Sequence, residues 1–294
     1  MIMSLSSAQL DAFTTLAKHL HFTKAAKELF ITQPALTQRI ARLEEAVGCL
    51  LFERGKRFVR LTVAGQRLVR YCQVKIALEE EALCEMVGKE EKELLGTVRL
   101  GGSSSHLRPL LIPSLGALAS EQAKLHFSFL LRPMEDLPRL LLAGEADFII
   151  TTEAIDRAEI VSESVGDELF VMVSDVSRRG NRRDHFLGTD ASDKILVQFM
   201  KGQKSSLQIP AKEETYMSDA FGILDGVELG YGSSIVPAHL IVHRRKIRVD
   251  RRYRPIKFPL SICYRRLPHY TKIQKVVLEE LKKQIPRQLQ PPKV

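Results

Sequence analysis

Several short stretches of this 294-residue chain carry side chains whose types and spacing could do chemistry. Gln33, Thr37, Gln38, Arg39 and Arg42 recur on one side of a predicted helix, a mix of amides, hydroxyl and guanidinium suited to base edges and phosphates. Arg54, Lys56, Arg57 and Arg60 surround Gly55, where cations at a turn could hold phosphates or enter a narrow minor groove. Ser103, Ser104 and Ser105 directly precede a predicted helix, so hydroxyls, free amide hydrogens and the helix dipole could bind a small carboxylate; the plainer alternative is one serine capping the helix. Thr151, Thr152, Gln198 and Tyr231 fall at predicted strand ends and are further candidate contacts for such a ligand. His239 and His243 stand four apart, but no acidic base lies between them and Pro237 precedes them, so a metal pair is not expected. His106 beside the serines lacks a G-x-S-x-G context, and the glycines at 101–102 and 230–232 lack a phosphate-cradle context. No catalytic set and no metal site is expected.

The elements that must position the first group follow from capping and periodicity. Ser6 and Gln9 have the spacing of a capping box, and Leu10, Phe13, Leu16, Ala17 and Leu20 follow at helical spacing. Thr23 is the expected cap of a short second helix over 24–30, whose Ala25 and Ala26 permit close approach by another helix. After a three-residue turn, Thr32 caps a third helix in which Pro34 is tolerated and Leu36, Ile40, Leu43 and Val47 form the apolar stripe, ending at Gly48. Two extended pieces, 50–52 and 58–61, then form a basic hairpin or wing, and Thr62 caps a long helix to about Lys92. Its seam of Ala64, Leu68, Tyr71, Leu78 and Ala82 needs a cover, and a second copy of the same helix is the economical one.

Composition bounds the class. Hydrophobic residues are 45% and charged residues 27% of the chain, ordinary globular usage, and the length suits two domains. No apolar run reaches a membrane span and the N-terminus lacks a secretory pattern, so a cytoplasmic protein is expected. The four cysteines, Cys49, Cys72, Cys84 and Cys263, are far apart and read as buried structural thiols in a reducing compartment. Between Lys18 and Lys75 there are 12 Lys/Arg against four Glu, which ties the excess positive charge to the N-terminal block and points to an anionic partner. A second basic stretch, residues 244–275, reads as a solvated face.

The stretch FTKAAKELFITQPALTQRIARLEEAVGCLLFERGKRFVRLTVAG, residues 22–65, resembles the LysR-type transcriptional regulators, with the alanine pair, T-Q-P-A-L-T, L-F-E-R and L-T-x-A-G in order. G-T-V-R-L-G, L-x-P-L-L-I-P, L-L-A-G-E-A-D-F-I-I and L-D-G-V-E-L-G-Y-G-S-S-I-V-P extend the resemblance into an effector domain similar to type 2 periplasmic binding proteins. It implies an N-terminal winged helix-turn-helix at 1–62, a linker helix at 63–92 and a two-lobed α/β effector domain at 93–294. Lobe 1 takes 93–162 and 265–294, and lobe 2 takes 163–264. Thr32, Gln33, Pro34, Thr37, Gln38, Arg39, Arg42, Arg54, Arg60 and Thr62 become the expected DNA contacts, with Pro34 and the Thr37 methyl suited to a thymine methyl. The resemblance also implies homodimers through the linker, homotetramers, a small organic acid or amino acid as effector, no cofactor, and RNA polymerase as a candidate partner. The segments at 177–185 and 201–210 fit no landmark of the family. Two other readings remain open at this point, a stand-alone small-molecule binding protein and an enzyme with a fused DNA anchor.

Beyond residue 93 the pattern predicts β-α-β-α-β: strand 98–101, helix 106–120, strand 125–131, helix 135–143 and strand 148–150. A second series has strands at 169–173, 195–199 and 233–236 with a helix over 217–228. A strand at 260–264 and a final helix over 270–284 would return the chain to the first lobe, leaving a cleft at the crossover.

Overall fold

The computed structural model describes residues 5–55, 58–87, 94–176, 185–189, 194–204, 207 and 213–289. The chain divides into two compact units, Met1–Lys92 and Glu93–Val294.

In the first unit the Ser6–Gln9 capping box opens α1, Ser7–His19, and Leu20 closes it in the left-handed region. Helix α2, Phe22–Glu28, is capped by His21, whose ring nitrogen accepts from the Lys24 amide at 3.4 Å. The expected Thr23 cap is thus corrected: Thr23 lies inside the helix, and its hydroxyl donates to Gln33 Oε1 at 3.0 Å. The turn of Leu29, Phe30 and Ile31 places Phe30 at φ 55°, and the Ile31 amide reaches back to the Ala26 carbonyl at 3.0 Å. Helix α3, Gln33–Val47, starts at Thr32, which accepts from the Ala35 amide at 3.3 Å, and stops at Gly48, φ 71°.

Strands β1, Phe52–Arg54, and β2, Val59–Leu61, pair antiparallel to form the wing; Lys56 and Arg57 lie outside the described residues. Helix α4, Val63–Val87, follows Thr62, and its expected extension to Lys92 also lies outside them. A Cβ at Gly65 would meet the Leu51 carbonyl oxygen at 2.1 Å, so only glycine lets α4 leave the wing this closely. The core gathers Leu10, Phe13, Leu16, Ala25, Ala26, Leu36, Ile40, Leu43, Leu51 and Phe52, about 1.5–3 kcal/mol for each large side chain removed from water. Cys72 joins this core, but Cys49, just past the α3 stop, is exposed, which corrects the expectation that it is a buried thiol.

The second unit is built on one mixed sheet. Strand β3, Gly96–Gly102, leads through a short helical turn α5, Ser104–His106, a π-helical turn at Leu107–Leu111, and the short α6, Ile112–Ser114, and α7, Gly116–Glu121. The expected single helix over 106–120 is therefore segmented. Strand β4, Leu125–Leu131, follows, then α8, Leu137–Leu142, and β5, Phe148–Thr151; β3 runs parallel to both strands. The long β6, Ile160–Asp175, crosses to the second lobe.

There the chain forms β7, His185–Gly188, α9, Lys194–Lys201, β8, Glu213–Tyr216, α10, Ala220–Glu228, β9, Ser234–Pro237, and β10, Ile247–Val249. The strand expected over 195–199 is α9 instead, because a short apolar run has no periodicity that separates a strand from a helix. Strand β11, Ile256–Arg265, then returns antiparallel to β6 and pairs with β5, and α11, Lys272–Gln288, packs on the first lobe's core.

Where the crossover strands pass between lobes the register shifts between Leu260 and Ser261, opposite Gly166 at φ 131°. Among the described residues, no helix is long and apolar enough to cross a membrane.

Candidate nucleic-acid interface and interlobe site

Helix α3 presents its first turns outward. Thr32, Gln33, Pro34, Gln38 and Arg42 are exposed and Thr37 and Arg39 half-buried, while Leu36, Ile40 and Leu43 are fully buried on the other side. Gln33 is oriented by its neighbour: Thr23 holds Oε1, leaving the NH₂ group to donate outward. The Thr37 hydroxyl donates to the Gln33 carbonyl at 3.0 Å, so its methyl is the group left to meet a ligand. Thr32 Oγ1 accepts from a backbone amide and keeps its hydrogen.

The wing residues divide. Arg54 donates to Glu44 Oε2 at 2.8 Å and lies over the Phe22 ring at 5.1 Å, while Glu44, nearly buried, also accepts the Leu51 and Phe52 amides at 2.9 and 3.2 Å. Glu44 thus joins α3 to β1, an anchor the sequence reading passed over, and Arg54 completes it. Thr62 is spent as well: its hydroxyl donates to the Leu50 carbonyl at 2.8 Å and accepts from the Gly65 amide at 3.0 Å, leaving no hydrogen for a phosphate. Arg60, on the exposed face of β2, pairs with Glu53 at 2.6 Å, an ion pair that solvent weakens.

In the second unit the three serines sit where β3 ends. Ser103 is the residue before α5, but its side chain does not cap that turn. Its Oγ instead lies 2.8 Å from Ser105 Oγ and 2.8 Å from His106 Nδ1, and Ser104 is half-buried beside them. His106 Nε2 lies 3.3 Å from Oε2 of Glu168, a fully buried carboxyl on β6. Oε1 of Glu168 faces His239 Nδ1 at 3.6 Å, and His239 Nε2 reaches the Ser105 carbonyl at 3.2 Å. Burial pushes the His239 imidazole below its ordinary value, with Glu168 pulling the other way. Arg108, two residues beyond His106, lies over the Phe221 ring of α10 at 4.1 Å. Lobe 1, the crossover strand and lobe 2 are therefore joined at one place.

The other candidates are placed less centrally. Thr151 is buried, its hydroxyl donating to the Glu153 carbonyl at 2.6 Å and lying 3.4 Å from Cys263 Sγ, and Thr152 is half-buried next to it. Tyr231 is exposed between Gly230 and Gly232, both at positive φ. Gln198 is mid-helix and exposed, beside the buried Phe199, and marks no strand end. His239 stands on a 3₁₀ turn, Ala238–Ile241, with His243 exposed beyond it, so their spacing does not put them on one α-helical face. Among the described residues no three His, Cys, Asp or Glu could hold a metal ion. Glu168 was missed because its partners are 62 and 71 positions away in sequence; the signal was an acid directly preceding the apolar run LFVMV.

A capped three-helix unit with a wing, joined in sequence to two α/β lobes on crossover strands, defines a winged helix-turn-helix protein with a ligand-binding type of domain. Residues 7–66 match the bacterial regulatory helix-turn-helix proteins of the lysR family, and residues 91–286 match the LysR substrate binding domain. The chain belongs to the LysR family.

The transcriptional regulator YwqM of Bacillus subtilis is 37% identical over 166 residues, 55% of each chain. The chain spans about half the length of the curated relatives it matches. ArgP of Mycobacterium tuberculosis superposes with a TM-score of 0.63 at 20% identity, covering 95% of this chain and 97% of its own. LysG of Corynebacterium glutamicum, solved with its effector Arg bound, gives 0.61 at 18% identity, with coverage of 95% and 97%. At these identities the two structures speak for the fold.

Proposed function

We propose that this chain is a sequence-specific DNA-binding transcriptional regulator, and no enzyme, whose activity responds to a small-molecule effector held between the lobes. The observation that carries the reading is the start of α3, where an oriented amide, a proline ring and a methyl stand exposed on a buried apolar stripe. The Gln33 NH₂ suits a major-groove acceptor, guanine N7 or O6, adenine N7 or thymine O4; Gln38 offers a second amide, and Pro34 and the Thr37 methyl suit a thymine methyl. Thr32, Arg39, Arg42 and Arg60 hold phosphates or the adjacent minor groove, and Arg54 and Thr62 act by holding the wing in place.

A second copy covers α4, whose Tyr71, Val74, Leu78, Ala82 and Met86 share one face, with Tyr71 and Met86 exposed. The α/β units associate dimers into tetramers in the cytoplasm, and RNA polymerase is the partner that reads the assembly. The effector is a small organic acid or amino acid at Ser103, Ser104 and Ser105, with Thr152 and Tyr231 nearby contacts and Thr151 shaping the loop; no cofactor is needed. It acts by binding one subunit arrangement better than another.

DNA titrations over a salt series test this. Gln33→Ala should relax base preference by about 1–3 kcal/mol at one position. Arg39→Ala should weaken all sequences alike and lower the salt slope by about 0.9. Equal loss on every sequence from both would contradict the division. Titration of organic acids and amino acids against serine variants tests the effector site, and unchanged affinity in all three would remove it.

A further inference from the structure

The contacts around Glu168 close a ring that begins and ends at Ser105. Hydrogen atoms can be assigned around it from chemistry alone. A carbonyl only accepts, so the 3.2 Å contact to the Ser105 carbonyl requires a hydrogen on His239 Nε2. Burial keeps that ring neutral, so its Nδ1 carries a lone pair, and this lone pair faces Glu168 Oε1. On the other side His106 Nε2–H donates to Glu168 Oε2, while His106 Nδ1 accepts from Ser103 and Ser103 accepts from Ser105. Every group then has a partner except the facing pair, and Glu168 Oε1, in a residue with no exposed surface, has no hydrogen-bond partner. The ring is short of one hydrogen. A lone carboxylate there is a buried net negative charge with an orphaned oxygen, which burial opposes strongly.

We propose that the Ser103–His106–Glu168–His239 ring is a proton-binding site, with Glu168 held as a neutral carboxylic acid that donates from Oε1 to His239 Nδ1 and latches lobe 2 to lobe 1. The proton comes from water and returns to it when the lobes part and the carboxyl is solvated. No other charge intrudes: the charged groups acting on His239 are Glu168 and His106, β11 places Phe258 opposite Glu168, and Asp167 pairs with Lys257 at 3.6 Å on the outer face of the strands. The three ring members come from α5, β6 and the 3₁₀ turn after β9, so parting the lobes breaks the ring whatever moves first.

Glu168→Gln is the informative substitution, because an amide accepts from His106 with its oxygen and donates to His239 with its nitrogen without needing a proton. Unfolding of the α/β unit in the full chain is followed from about pH 6.5 to about pH 9, where an unfolded-chain glutamate is ionised. The unfolding constant of the wild type should rise relative to that of Glu168→Gln by up to tenfold per pH unit, one proton's worth. The infrared C=O stretch of a protonated carboxyl, recorded on the wild type above neutral pH, provides a readout that does not depend on the variant folding. That band should be present and should disappear on opening in denaturant. A stability difference flat with pH, or absence of the band, would overturn the proposal. So would a loss of stability only on acidification, equal in both proteins, which is what a merely buried neutral His239 would give.

Discussion

Arg54 offers the sharpest separation between holding the wing and holding DNA. In Arg54→Ala the nearly buried Glu44 carboxylate loses its charged partner at 2.8 Å while keeping the two backbone amides, and Phe22 loses the guanidinium over its ring. A hydrogen bond to a charged group is worth about 1.5–3 kcal/mol and a cation–π contact about 0.5–1. Because the Arg54 side chain is 38% exposed, solvent screening trims the sum to about 2 kcal/mol. For a unit of this size that is a fall in Tm of roughly 10 °C.

The assay pairs thermal unfolding of the winged unit with DNA titration over a salt series. The account predicts the Tm loss, a matching loss in Glu44→Ala that is not additive in the double variant, and an unchanged slope of log affinity against log salt. A wild-type Tm with the slope reduced by about 0.9 would refute the reasoning and put Arg54 on a phosphate.

Other consequences are open to direct measurement. Phe30, exposed at φ 55° in the turn before α3, is strained for an L side chain, and Phe30→Gly should stabilise the winged unit by about 1 kcal/mol in thermal unfolding. Burial pushes the Cys72 thiol up to about 11, whereas Cys49 is exposed; mildly alkaline alkylation should therefore label Cys49 in the folded chain and Cys72 only after denaturant is added. The Tyr264 hydroxyl, and after it Lys282, hold the Glu163 carboxylate below the usual range. That contribution is present above the ordinary carboxylate value and is lost as pH falls below it, so Glu163→Gln should flatten the acid limb of the stability curve. Gly166 at φ 131° faces Leu289 across a gap a Cβ would narrow to 3.2 Å, so Gly166→Ala should lower the Tm of the α/β unit.

The parts legible in the sequence are those fixed by local rules. Thr32, Pro34 and Gly48 bracket α3 because caps and a left-handed stop act within a turn, and the Leu36, Ile40 and Leu43 stripe then decides which side faces out. The return of β11 and α11 to lobe 1 was readable from order alone, since a strand and helix were left over after the second series.

What the sequence hid depends on distance or on competition. Thr23 and His21 were equally placed to cap α2, and contact with Gln33 drew Thr23 away. Arg54 looked like any basic wing residue until Glu44, ten positions earlier, turned out to be buried beneath it. The run around Gln198 is apolar for only a few residues, too few to show a period, and packing of Phe199 against Tyr253 favours the helix. Glu168, His106 and His239 meet only through the lobe crossover, which no local pattern reports.

The central claim, that α3 reads bases while other cations hold phosphates, is tested most directly by selecting sites from a random duplex pool at fixed salt with the wild type, Gln33→Ala and Arg39→Ala. The account predicts a partly palindromic site for the wild type, loss of information at one position per half-site for Gln33→Ala, and the same site at lower affinity for Arg39→Ala. Recovery of an unchanged site with Gln33→Ala, or no enriched site with the wild type, would contradict it.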